Sequence, residues 1–475
     1  MPLGLYISVP FCRTKCSYCN FASDVFSKSA YENYVVRLLQ DIGNARQFAA
    51  QRGCVIEETA DSIYLGGGTP SILDTEQLLR IFATLRDHFT VTSDAEITVE
   101  CAPGTLTPAL IATLLQCGVN RVSLGVQSLI DREAQAVGRL HKRSTVLEEI
   151  GRLREAGLRN INIDLIAGLP HQTAESWAYS VSETISVEVP HVSVYMLEVD
   201  DDSRLGRELI AGGARYHAHF VPDDDATADF YQQACETLAA EGIAQYEISN
   251  FARVARTQRS GELQSNQSRH NLKYWTRQPY VGFGVDAHSM LSADVPGNKD
   301  YRAVRFATPD SLDAYMNRSP HTVTPVSTQM AIEEEFFLGL RLNRGIDLEQ
   351  LRKHFPPECA RARANAPDLN CHPDPTCHPD LNCHPERSEG PAVCQPSANT
   401  KAPRPGLLAK VTHDPIAAWD TAVEQSLQEG LLEQQDAVLR LTARGRLLSN
   451  EVFARFLAEV REEETKVGTG HVNSR

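Results

Sequence analysis

The sequence predicts an α/β fold in two parts: six successive β-then-α units, which imply a parallel sheet with helices outside, and a C-terminal, mostly helical, winged-helix-like domain. Three observations carry this reading. Over the first 200 residues, short β-branched runs alternate with amphipathic helical stretches. Polar motifs fall after or at the end of the strand candidates, where parallel α/β folds place their ligands; these are Cys12, Gly66-Gly67-Gly68, Glu100, Gln127, Asp164 and Tyr195. The chain then closes on a short helical stretch, Gly430, a β-like run and a last helical stretch.

Taken in order, the strand candidates are 3–9, 62–65, 96–100, 121–125, 160–166 and 191–197, and the helix candidates between them are 30–48, 75–88, 108–117, 145–156 and 174–187. Asp74 with Gln77 and Thr145 with Glu148 read as capping boxes. Gly118 and Gly157 fall where a glycine ends a helix. Residues 1–225 form this core, and 226–325 form a mixed α/β extension with a helix at 227–241, Tyr246 to Phe251, a polar loop at 255–268, His270 to Trp275 and Gly282-Phe283-Gly284. Residues 326–465 form the helical C-terminal domain, with helices at 330–342, 416–430 and 442–460 around a strand at 438–441.

An insertion at 356–406 interrupts that domain. Pro367 to His372 recurs twelve residues later at Pro379 to His384, and Cys-His-Pro occurs three times, at Cys371, Cys377 and Cys383. Six Cys and His side chains are a zinc or heme set in principle. The repeat is short, though, proline blocks regular structure and there is no apolar face to bury, so the segment reads as a disordered expansion of a surface loop.

With 42% hydrophobic residues the 475-residue chain is ordinary globular protein, and no run of eighteen apolar residues predicts a transmembrane helix. The N-terminus reads as a strand, not a signal peptide. Its twelve cysteines are scattered apart from the first three and a late group, which fits a reduced, cytoplasmic setting. A net charge of −15 argues against a broad nucleic-acid surface.

Cys12-Arg13-Thr14-Lys15-Cys16-Ser17-Tyr18-Cys19 follows the first strand candidate. Three thiolates so close together can take three corners of a cubane iron–sulfur cluster and leave the fourth iron without a protein ligand. Disulfides cannot use three cysteines evenly, and a structural zinc wants a fourth ligand nearby; zinc or free thiols are the competing readings. Gly66-Gly67-Gly68-Thr69-Pro70 permits positive φ and close backbone approach. Glu100 offers a carboxylate to hydroxyl groups, and Arg139 a fixed cation to a carboxylate. Each such residue alone is most often a satisfied surface group. As a set at one end of one sheet, with Gln127 and Asp164, they argue for a site.

The cysteine spacing, followed by an aromatic at Tyr18, resembles the radical S-adenosylmethionine (SAM) superfamily. Leu5 to Cys12, the triple glycine, Glu100 with Pro103-Gly104-Thr105, Arg121 to Ser128, Gly138-Arg139-Leu140-His141, Asp164 to Pro170, Tyr246 to Phe251 and His270 to Trp275 resemble one branch: the oxygen-independent coproporphyrinogen dehydrogenase family and its relative, the HemW family of heme chaperones. The resemblance implies a partial (β/α)6 radical SAM barrel. It implies a [4Fe-4S] cluster on Cys12, Cys16 and Cys19, and SAM contacts from Tyr6, Gly67, Glu100, Arg139 and Asp164. In the dehydrogenase, Tyr18, Gly68, Thr69 and Gln127 would fall beside a second SAM.

Two departures favour the HemW side. The dehydrogenase has a fourth cysteine two residues after the third, where this chain has Phe21, and an extension before the cluster motif, which here starts at residue 12. His270-Asn271-x-x-Tyr274-Trp275 resembles the heme-binding motif of the HemW branch. It implies His270 as axial ligand with Tyr274 and Trp275 stacking on the macrocycle; a core histidine hydrogen-bonded beside aromatics is the competing reading, and His288 is a second candidate ligand. The expected function is a heme chaperone that passes heme to an acceptor such as a respiratory heme protein, with exchangeable SAM. Its expected partners are heme, that acceptor and a second copy in a homodimer, without nucleic acid. The alternative is the dehydrogenase, which decarboxylates two propionates of coproporphyrinogen III to give protoporphyrinogen IX. A radical SAM enzyme acting on tRNA is disfavoured by the acidic balance.

Overall fold

A computed structural model describes residues 1–256, 263–293, 301–355 and 414–457. The Cys-His-Pro insertion and the end of the last helix candidate lie outside the described residues.

Six parallel strands form the centre: β1 (Leu3–Val9), β2 (Thr59–Gly67), β3 (Thr90–Cys101), β4 (Arg121–Gln127), β5 (Asn160–Ala167) and β6 (His191–Met196), paired in that order. Their crossovers carry α1 (Lys28–Ala50), α2 (Thr75–His88), α3 (Pro108–Gln116), α4 (Asp131–Ala136) with α5 (Arg143–Glu155), and α6 (Ala174–Ser186). Each strand alternates. Leu5, Ile7, Ile63, Leu65, Val99, Val122, Leu124, Ile163 and Val192 are buried in the main hydrophobic core. The alternate positions face into the barrel and are polar: register pairs Tyr6 with Tyr64, Glu100 with Ser123, Ser123 with Asn162, and Asp164 with Ser193. Strands of a parallel sheet are normally apolar on both faces. A polar inner face costs folding energy unless every group is partnered, so it points to a ligand site.

Two of the predicted caps behave differently. Asp74 and Gln77 form the capping box that starts α2. α5 instead starts at Arg143 with no side-chain cap from Lys142, because Asp131 Oδ1 accepts the Arg143 N–H at 2.7 Å from α4 and moves the helix start upstream of Thr145. Thr173 with Ser176 makes a second box at α6 that the Glu/Gln rule passes over. Gly118 (φ +79°) and Gly157 (φ +90°) end α3 and α5 in the left-handed conformation.

The extension adds strands to both edges of the barrel sheet. After α7 (Arg204–Ala211) and α8 (Asp224–Ala240), the hairpin of β7 (Ile243–Glu247) and β8 (Asn250–Arg256) joins β6 antiparallel, and β9 (Leu263–Ser265) pairs with β8. Then comes α9 (Arg269–Trp275), followed by β10 (Tyr280–Phe283), which lies parallel to β1 on the other edge. β11 (His288–Ser292), β12 (Tyr301–Ala307), α10 (Leu312–Met316) and β13 (Thr322–Ser327) complete that side, the three strands running antiparallel in sequence from β10.

The C-terminal domain begins with α11 (Thr328–Gly339), β14 (Ile346–Asp347) and α12 (Leu348–His354), and resumes with α13 (Asp420–Gln428), β15 (Leu432–Gln435), β16 (Val438–Leu441), α14 (Ala443–Leu447) and α15 (Ser449–Ala454). β14, β16 and β15 form a small antiparallel sheet. The predicted helix from 442 is broken at Leu448 into α14 and α15. Among the described residues no helix is long and apolar enough to cross a membrane.

Candidate functional site

The cysteine loop leaves β1 and is pinned at both ends. Phe11 is buried, stacked on Tyr31 at 4.1 Å and edge-on to Tyr34. The Cys12 N–H donates to Asp24 O and the Asp24 N–H to Pro10 O, both at 3.0 Å. Inside the loop, Lys15 Nζ donates to Phe21 O and Ser23 O at 2.6 Å. Cys12, Cys16 and Cys19 are all free thiols, half-buried on the wall of one cavity of about 370 Å³. Among the described residues no three His, Cys, Asp or Glu side chains converge as they would on a single metal ion. A four-iron cluster asks instead for sulfurs on separate corners, and this donor set fits that demand. Thr69 Oγ1 lies 3.6 Å from Cys12 Sγ. Burial pushes the Cys19 thiol up, so a positive cluster core is what would make it a thiolate.

The triple glycine is required by what surrounds it. A Cβ on Gly68 would sit 2.7 Å from Phe11 O and 2.8 Å from Val9 O; one on Gly66 would sit 2.9 Å from Glu100 Oε1; Gly67 has φ +97°. This lets the β2 end lie flat against the cysteine loop and bring its backbone to the Glu100 carboxyl. Tyr64 OH donates to Glu100 Oε1 at 2.8 Å. Burial, with the Asp164 carboxyl adding to it, pushes Glu100 up to about 7. Asp164 accepts from Ser123 Oγ at 3.1 Å and Asn162 Nδ2 at 2.7 Å, and burial raises its carboxyl too. Arg139, placed by the unpredicted helix α4, donates from Nη2 to Tyr18 OH at 3.2 Å. Tyr18, Tyr64, Gly67, Gly68, Glu100, Ser123, Arg139, Asn162 and Asp164 all line the cysteine cavity.

Four residues lining this cavity carry a buried polar atom with no partner among the described residues: Ser23 Oγ, Arg121 Nε, Gln127 Oε1 and Arg139 Nε. Gln127 also holds φ +70°, a strained conformation for a non-glycine residue. Unpaired buried groups and local strain on one cavity wall fit a polar ligand such as SAM.

The histidine motif enters from the other end of the barrel. α9 closes the side where the strands begin: Lys273 is buried and binds Pro2 O at 2.9 Å and Asp61 Oδ1 at 2.7 Å, and the His270 N–H donates to Glu96 Oε1 at 3.2 Å. His270 is 1% exposed, and both ring nitrogens are engaged, Nδ1 with Ser62 Oγ at 3.0 Å and Nε2 with Tyr274 OH at 2.8 Å. Burial, with the Lys273 ammonium beside it, holds the imidazole down to about 3. Its ring stacks on Tyr64 with centroids 5.4 Å apart. His270, Tyr274, Tyr6, Tyr64 and His288 line a second cavity of about 460 Å³, whose wall shares Phe21, Tyr64, Gly67, Glu100 and Tyr195 with the first. Trp275 lies outside both cavities, its ring under the Arg341 guanidinium at 4.2 Å.

Residues that sequence reasoning missed are the inner-face partners Tyr64, Ser62, Ser123, Asn162 and Ser193. Their signal was the alternation of polar and apolar positions that runs through most of each strand candidate.

Residues 6–182 match the radical SAM superfamily. The chain is 31% identical over 358 residues to the heme chaperone HemW of Lactococcus lactis, covering 74% of this chain and 85% of that protein. It is 29% identical over 456 residues to the heme chaperone HemW of Bacillus subtilis, covering 96% and 99%. Among solved structures it superposes on coproporphyrinogen III oxidase (HemN) from Escherichia coli, a radical SAM enzyme, with a TM-score of 0.68 and 20% identity over 96% of this chain and 90% of that one. The shared fold, the cysteine loop and these identities together place the chain in the HemW family of the radical SAM superfamily.

Proposed function

We propose that this protein is a heme chaperone, binding heme in the tyrosine-lined cavity and passing it to an acceptor protein. Cys12, Cys16 and Cys19 hold a [4Fe-4S] cluster; Gly67, Glu100, Arg139 and Asp164 hold SAM beside it, with Tyr6 reaching it from the wall of the second cavity. The observation that supports this reading is the pair of cavities sharing one wall, thiols on one side and two histidines among tyrosines on the other. The names of its relatives point the same way. When bound and reduced, the cluster supplies one-electron chemistry at the SAM sulfonium. The residues of the chain do the rest. Arg139 offers its guanidinium to a carboxylate, Glu100 and Asp164 accept hydrogen bonds from hydroxyl or amino groups, and Gln127 fills its free Oε1. Tyr64 and Glu100 face both cavities, so SAM occupancy bears on the heme side and gates release.

A second reading, coproporphyrinogen dehydrogenase, has one observation in its favour. Tyr18, Gly68, Thr69 and Gln127 line the cysteine cavity. Phe21, in place of a fourth cysteine, counts against it. The test is anaerobic: reconstitute the cluster, titrate hemin, and assay coproporphyrinogen III with SAM and a reductant. Hemin binding without protoporphyrinogen formation is expected. Decarboxylated product with little hemin affinity establishes the dehydrogenase.

A further inference from the structure

We propose that His288, not His270, supplies the imidazole that binds heme iron, with His270 acting as a positioning residue at the floor of the cavity. This deepens the heme-binding reading and rests on it. The cavity runs along the barrel axis. Its floor, beside the first residues of β1 and β2, is His270 and Tyr274; its mouth, beside the strand ends, is Asp286 and His288.

The floor histidine is poorly placed to take a metal. It is 1% exposed, both nitrogens are hydrogen-bonded, and the Tyr64 ring stacks over it. Iron could reach Nε2 only after Tyr274 turned away, leaving a buried phenol without a partner. His288 is the opposite case. Its side chain is 65% exposed at the mouth, and the carboxylate oxygen Asp286 Oδ1 is 3.7 Å from Nε2. That is too long for a hydrogen bond, so the ring can turn and present either nitrogen. A carboxylate beside the ring is what a metal-binding imidazole uses to hold its second N–H. Iron near the mouth also leaves the macrocycle edge within reach of an acceptor, whereas iron at the floor would be enclosed. Phe21, 64% exposed on the shared wall, offers an apolar face there.

The experiment is a hemin titration of the full, cluster-reconstituted chain, read by difference absorbance and by resonance Raman of the ferric heme. Three forms are compared: wild type, His288→Ala, and His270→Gln, which keeps hydrogen bonds to Ser62 and Tyr274. Wild type and His270→Gln are expected to show histidine-ligated iron. His288→Ala is expected to bind hemin about tenfold or more weakly, to lose that signature, and to regain it when free imidazole is added. Loss of the histidine signature in His270→Gln together with its survival in His288→Ala overturns the proposal, as does tyrosinate-ligated iron in wild type. Failure of wild type to bind hemin at all overturns the heme-binding reading itself.

Discussion

At the scale of single residues, the site is governed by carboxyls and imidazoles taken out of water. Burial pushes Glu100 up to about 7, against an unfolded value near 4.5. A carboxyl whose folded value is raised stabilises the fold fully below the unfolded value, and that contribution is lost as pH rises through the folded one. Wild type is therefore expected to lose about 2–3 kcal/mol between pH 4.5 and 7 from this group. Glu100→Gln should abolish that loss, so the variant gains on wild type at pH 8 and not at pH 4.5, read by urea unfolding at both pH values. SAM binding should move the other way. The ionised carboxylate is the better acceptor for hydroxyls, so wild-type affinity is expected to fall below pH 7, while Glu100→Gln binds weakly at every pH. His270 has the opposite sign: held down to about 3, its neutral ring contributes stability that is full above its unfolded value near 6.5 and lost as pH falls toward 3. His270→Gln should flatten the acid limb of the stability curve over that window.

At the scale of elements, turns and caps decide where the chemistry lands. Gly68→Ala would drive a Cβ to within 2.8 Å of two backbone oxygens, Val9 O and Phe11 O, that belong to rigid neighbours. A cost of about 1–3 kcal/mol is expected, and because the strain falls on the root of the cysteine loop, iron content after reconstitution should drop as well. Asp131→Ala removes the acceptor that starts α5 and should cost about 1 kcal/mol without changing iron content. Much of this level was legible in advance. The bounds of β1, α2 and β16 coincide with those read from the sequence, because the two strands alternate cleanly and α2 starts at a capping box. The inner face of the barrel was not legible as a network. Ser62, Tyr64 and Asn162 look like the solvent positions of ordinary half-buried strands, and only closure of the barrel turns them toward one another. The placement of α9 was further still from local reach. Its contacts with Ser62 and Glu96 span 208 and 174 residues, and no periodicity encodes which end of a barrel a short helix will close.

At the scale of the molecule, the C-terminal domain holds the helix that carries the histidine motif. Arg277, just beyond α9, donates from Nε to Glu334 at 2.8 Å and from Nη1 to Glu335 at 3.4 Å, while Arg305 on β12 reaches Glu334 at 2.7 Å. The Arg277 and Glu334 side chains are 7% and 4% exposed, so α9, the barrel edge and α11 meet on one buried carboxylate. Removing that carboxylate leaves the buried Arg277 with only its 3.4 Å contact to Glu335 and takes a partner from the part-exposed Arg305, and breaking a buried pair costs about 3–5 kcal/mol. The exposed pair of Arg352 and Asp414 joins two elements of the same domain, with side chains 42% and 35% exposed, and should contribute less than about 1 kcal/mol. Glu334→Ala is thus expected to lower the urea midpoint markedly, and Asp414→Ala barely. The two variants should also differ in function. If the network positions α9, Glu334→Ala should weaken hemin binding under conditions where it is still folded, because the cavity floor loses its anchor, and it should leave the iron content of the cysteine loop intact. Equal loss of iron and hemin would mean that the network supports the whole barrel and does not act on the histidine motif in particular.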